Sequence, residues 1–160
     1  MAISPNTDFT AGAILTAAQQ NRFPRGILNY SNAVTANFTT SGTHTTFQDV
    51  TNLTASVTYA ANRVIRVTLE VGPYVPGGAN GVEYKAIRGS TDLKIWTIPS
   101  EALSGSVDHD MSLTVTFAGP GTGATETFKV QMRGVSNTQV GNQAGATSPS
   151  RLIIEDLGPS

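Results

Sequence analysis

Asp108-His109-Asp110 is the cluster whose residue types could do chemistry, because a histidine between two carboxylates has the donor set for a divalent cation. The spacing argues against that use. In an extended segment the central side chain points to the opposite face from its neighbours, so the three donors do not converge. A solvated turn leading into the Met111 strand explains the tripeptide more simply. The other histidine, His44 in Ser41-Gly42-Thr43-His44-Thr45, reads as a loop residue. With 2 His and 0 Cys the chain has no thiolate metal site, thiol nucleophile or redox pair. A hydrolytic site would have to be built from dispersed Asp, Glu and Ser, and no spacing suggests one. No metal, no cofactor and no enzymatic activity are expected.

Gly119-Pro120-Gly121-Thr122-Gly123 has the glycine content of a phosphate loop. It lacks the Lys-Ser/Thr ending, and no helix follows to present its N-terminus, so it reads as a turn. Asn37-Phe38-Thr39 and Asn52-Leu53-Thr54 match the glycosylation pattern, a coincidence to be expected in so Thr-rich a chain. Aromatic rings stack on sugar faces, which makes Trp96, Tyr74, Tyr84 and Tyr30 a conceivable glycan-binding set. Trp96 is explained more simply as a core or interface residue with its indole N–H satisfied. Tyr74, held between prolines in Gly72-Pro73-Tyr74-Val75-Pro76-Gly77-Gly78-Ala79-Asn80-Gly81, is the better recognition candidate, although an ordinary surface loop also fits.

The elements that must position these residues follow from composition and periodicity. A chain of 160 residues fits one domain with a core of its own. Ten Lys plus Arg stand against eleven Asp plus Glu with no run of either sign, which excludes the basic stripe of a nucleic-acid or anionic-membrane surface. Charged residues are 13% of the chain, about half the usual share, so Thr, Ser, Asn and Gln must carry solvation. No apolar run is long enough to span a bilayer and no secretory leader pattern is visible, so a soluble protein is expected.

Leu53, Ala55, Val57 and Tyr59 alternate with Thr and Ser, and Ile65, Val67, Leu69 and Val71 repeat the pattern; Ala60-Ala61-Asn62 between them suggests a hairpin. Val82–Ala86, Leu93–Ile98, Met111–Phe117 and Phe128–Met132 read as further strands, as do Ile27–Ala33, Thr45–Val50 and Arg151–Leu157. About eight or nine short strands separated by turn signals predict an all-β, antiparallel β-sandwich of jelly-roll type over residues 27–160. Ser136–Ser150 reads as a long loop or crossing segment. Residues 1–26 read as an extended arm followed by one short docking helix, with Thr16 as N-cap and Pro24 and Gly26 as stops. So short a helix forms only by packing Ile14, Leu15, Ala18 and Phe23 against its own body or a neighbouring chain, and Phe9 in the arm joins them as a docking residue.

Both ends of the chain resemble small virion structural proteins of tailed bacteriophages, the minor tail or fibre-like class. The first stretch is Ile3-Ser4-Pro5-Asn6-Thr7 through Gly12-Ala13-Ile14-Leu15-Thr16-Ala17-Ala18-Gln19-Gln20-Asn21, closed by Pro24-Arg25-Gly26. The second is Ser148-Pro149-Ser150-Arg151-Leu152-Ile153-Ile154-Glu155-Asp156-Leu157-Gly158-Pro159. Gln20 departs from the pattern, where an apolar residue such as Met is expected. The resemblance implies a homotrimer displayed on the virion after assembly in the bacterial host cytoplasm. Its partners would be itself and other phage virion proteins of the tail or capsid. In such an assembly Ile153 and Ile154 would complete a sheet or seal the threefold axis, and the outer loops could contact a host surface glycan. A capsid decoration or cement protein at local threefold positions and a carbohydrate-binding module through Trp96 or Tyr74 are the competing expectations.

Overall fold

The computed structural model describes residues 25–40, 46–75, 81–99, 111–119, 123–135 and 139–160. The expected arm and helix, with Phe9, Ile14, Leu15, Ala18 and Phe23, lie outside these residues, as do His44 and Asp108-His109-Asp110. In chain order the strands are β1 (Gly26–Tyr30), β2 (Phe38–Thr39), β3 (Gln48–Thr58), β4 (Arg63–Val71), β5 (Pro73–Tyr74), β6 (Gly81–Arg88), β7 (Thr91–Pro99), β8 (Met111–Gly119), β9 (Thr125–Gly134), β10 (Gly141–Asn142) and β11 (Arg151–Pro159).

Period-two alternation sorts their side chains. Along β4 every second residue is buried, from Arg63 through Ile65, Val67 and Leu69 to Val71. The same rhythm buries Leu53, Ala55 and Val57 of β3 and Phe128, Val130 and Met132 of β9. Among the described residues all pairings are antiparallel. Sheet 1 has the order β1-β11-β4-β8 and sheet 2 the order β3-β9-β6-β7, while β2-β10-β5 forms a small third sheet. The inner faces of the two large sheets share one core, in which Ile65, Val67, Leu152 and Ile154 of sheet 1 lie with Leu53, Val82, Tyr84 and Phe128 of sheet 2. Phe117 of sheet 1 and Phe128 of sheet 2 meet with ring centroids 6.2 Å apart. The described residues are thus a two-layered, all-β sandwich.

Two local expectations change. Ala60-Ala61-Asn62 is not a hairpin: β3 pairs with β9, β4 pairs with β11 and β8, and the segment carries the chain from one sheet to the other. Asn62 takes a left-handed conformation, φ 57°, and β4 begins with Arg63 buried against Asp156. Alternation reports which face is buried, not which strand lies beside it. The predicted strands Thr45–Val50 and Leu53–Tyr59 are one strand with an irregularity between Asp49 and Thr54, where Asn52 has φ 65°. Asn tolerates this region, so the strand kinks and continues. The expected turn after Arg88 is a true hairpin between β6 and β7 with Gly89 at φ 56°.

Two buried polar clusters tie the layers to their flanking segments. Arg63 Nε donates to both carboxylate oxygens of Asp156 at 3.0 and 2.9 Å, and the Gly158 N–H reaches Asp156 Oδ1 at 2.9 Å. Asn142, wholly buried on β10, accepts from the Gly72 N–H at 3.2 Å and the Tyr84 hydroxyl at 3.0 Å, and donates to Ser150 Oγ at 2.9 Å. The stretch expected to be a loop therefore supplies a core-facing polar knot.

Candidate assembly surface

The first strand joins residues 1–24 to the sandwich. β1 has five residues, pairs with β11 along one side and leaves its other side at the edge of sheet 1. Its pairing is irregular between Ile27 and Asn29, and Leu28 packs partly buried against the core. Ile27 and Tyr30 are 60% and 61% exposed. Ile27 lies opposite Glu155 and Tyr30 opposite Ile153, which places both on the outer face of the sheet. Of the two isoleucines assigned to assembly, Ile153 is half-buried on that outer face and Ile154 is fully buried in the core.

The outer faces of both large sheets carry opposite charges in balance. On sheet 2 the long charged side chains pair with one another: Lys129 Nζ lies 2.9 Å from Asp49, Lys85 3.2 Å from Asp92 and Arg133 2.6 Å from Glu83. Asp49 also accepts from Gln131 Nε2 at 2.6 Å; that hydrogen bond, with Lys129 nearby, holds its carboxyl below the usual range. Lys85 Nζ and the Arg133 guanidinium each lie 4.4 Å from the centroid of the Phe47 ring. On sheet 1 the outer face of β4 and β11 carries Arg66, Glu70, Arg151 and Glu155; Arg66 reaches Glu155 in a two-pronged ion pair at 2.8 and 2.9 Å, which lowers the Glu155 pKa, and Glu70 lies opposite Arg151. Around them lie Val64, Thr68, Ser112, Thr114, Thr116 and Ala118, half-buried or exposed. This face is balanced in charge and hydroxyl-rich, with Ile27, Tyr30 and Ile153 at one end.

The aromatic residues do not share a surface. Tyr84 is fully buried, and burial pushes its hydroxyl pKa up. Trp96 lies opposite Tyr84 and packs, half-buried, against the core. Tyr74 is half-buried in the small third sheet, and Tyr30 stands on sheet 1. A cavity of about 530 Å³ opens where β4 ends and β8 begins, lined by Glu70, Val71, Met111, Ser112 and residues 146–151, and neither Tyr74 nor Trp96 borders it. Among the described residues no three His, Asp or Glu side chains gather as metal ligands, and no helix is long and apolar enough to cross a membrane. The exposure of Ile27 and Tyr30 is the feature that sequence reasoning missed, because the run from Ile27 shows no alternation that marks an outer face.

No family model matches the chain, and no curated protein matches it. Among solved structures it is similar to infectious bursal disease virus VP2 in a subviral particle, at 12% identity and a TM-score of 0.46. The match covers 100% of this chain and 43% of that one, so the chain spans less than half the length of that protein. A likeness at this level carries no argument about function.

Proposed function

We propose that this chain is a non-enzymatic structural protein of a virion, a homotrimer of the minor tail or fibre-like class of tailed bacteriophages, joined to its neighbours through residues 1–26. The observation that carries the reading is the exposure of Ile27 and Tyr30 on the outer face of sheet 1, at the edge strand where the chain arrives from its N-terminal segment. Exposed apolar side chains grouped at a sheet edge mark a contact surface. The N-terminal segment, with Phe9, Ile14, Leu15 and Phe23, has the apolar residues to complement it. The resemblance of both ends to phage virion proteins supplies the class of particle. We read the two strand orders as a jelly roll, the double Greek key used by viral shell and lectin domains, an analogy of fold that supports the reading without naming the particle.

The test is particle incorporation. A chain lacking residues 1–24 keeps the circular dichroism of the full chain and is absent from purified particles. Normal incorporation of the truncated chain would remove the docking role. Cryo-electron microscopy of particles carrying the full chain distinguishes a tail position from a decoration position on the head.

A further inference from the structure

The two large sheets have four edges, and three of them carry features that discourage pairing with another strand. On sheet 1, β1 is five residues long with an irregular register. On sheet 2, β3 is kinked at Asn52, and Asn29 Nδ2 donates to its Ser56 carbonyl at 2.7 Å. Its opposite edge, β7, carries Asp92 and Lys94 and ends in Pro99. Charge, proline, short length and irregularity are the usual means of protecting an edge.

The fourth edge, β8, has none of these. It runs for nine residues, Met-Ser-Leu-Thr-Val-Thr-Phe-Ala-Gly, without a charge or a proline. Its register with β4 is unbroken from Val71↔Met111 to Arg63↔Gly119, so the strand has no bulge. Among the described residues no strand pairs with its outer side. Of its inward side chains Leu113 is buried, while Met111, Val115 and Phe117 are half-buried, Phe117 under the Arg88 guanidinium at 5.1 Å; Ile65, Val67 and Leu69 on the adjacent β4 have no exposure. The core is therefore less covered along this edge than at β4.

We propose that the outer edge of β8 pairs with β8 of a second copy of this chain, antiparallel and centred on Val115. The strand is its own complement in that register. Leu113 lies opposite Phe117 of the second copy and Val115 opposite Val115, extending the apolar face. Thr114 lies opposite Thr116 on the outer face, where hydroxyl pairs stabilise cross-strand neighbours. No like charges oppose each other. The contact is two-fold and isologous, distinct from the threefold contact proposed above and independent of the virion reading; it would join one assembly to another.

The chain has 0 Cys, so engineered thiols report without background. Chains carrying Thr114→Cys and chains carrying Thr116→Cys, mixed and mildly oxidised, should form disulfide-linked dimers. Either variant alone should not, because its thiols lie diagonally, beyond disulfide reach. Thr114→Lys with Thr116→Lys places like charges across the contact. In sedimentation velocity the full-length double-lysine variant should have half the mass of the wild type at high concentration, its self-association weakened by about tenfold or more. Unchanged circular dichroism and Trp96 fluorescence would show that it is folded. Equal cross-linking of mixed and single variants, or equal mass of variant and wild type, would overturn the proposal. So would a wild-type association lost on removing residues 1–24 and unaffected by the lysines, because it would assign the contact to the N-terminal segment.

Discussion

Arg63 starts β4 and Asp156 lies within β11, 4% and 1% exposed, with the guanidinium satisfying both carboxylate oxygens. Their value lies in being matched, because an ion removed from water is tolerated only beside its partner. Asp156→Asn strands a buried guanidinium and should cost about 3–5 kcal/mol in urea unfolding. Replacing both by apolar residues of similar size, Arg63→Met with Asp156→Leu, should recover most of that loss. Tyr59 gives a second test at this scale. Its hydroxyl donates to Glu126, and burial followed by that carboxylate raises its pKa from 10.0 to about 12. The folded state therefore holds the proton after the unfolded chain has released it. Tyr59 contributes fully below pH 10.0, and that contribution is lost as pH rises through about 12. Denaturant midpoints should fall across this window, and Tyr59→Phe should flatten the slope.

At the scale of elements, the alternation of Leu53 with Ala55 and Val57, and of Ile65 with Val67 and Leu69, made the strands and their buried faces legible in the sequence. What it left open was which strand lies beside which. Both sides of Ala60-Ala61-Asn62 bury one face in the same core, so a hairpin and a crossing between sheets give the same pattern. The two-residue strands β2, β5 and β10 are too short to show a period, which hid the Asn142 knot within an Asn- and Gly-rich stretch. Of the candidate surface, the Ile153 and Ile154 strand was legible as a strand, but the outward placement of Ile27 and Tyr30 follows from their opposition to Glu155 and Ile153 across the sheet. The β6–β7 hairpin, the one between long strands among the described residues, depends on a left-handed glycine, Gly89, with open space where a Cβ would sit. Gly89→Ala should meet no steric clash and still lower stability by about 1 kcal/mol, the cost of a side chain in that backbone region, readable as a lower denaturation midpoint.

For the whole molecule, one core fed by both sheets predicts one cooperative transition. Trp96, the single tryptophan, reports on sheet 2, while far-UV circular dichroism reports on both sheets. Their urea transitions should coincide; a separation would show the sheets unfolding independently. The position of β11 bears on how the protein is made. This strand comes last in chain order yet lies between β1 and β4, contributing Leu152 and Ile154 to the core. Until Arg151–Pro159 leaves the ribosome, β1 lacks the strand it pairs with among the described residues, and β4 lacks one of its two. Closure then joins segments more than a hundred residues apart, such as Gly26 and Asp156, a slow kind of search. A nascent chain halted before Arg151 would have every strand of sheet 2 but would lack the strand that joins β1 to β4, leaving core-facing apolar side chains exposed, a substrate for chaperones or for aggregation.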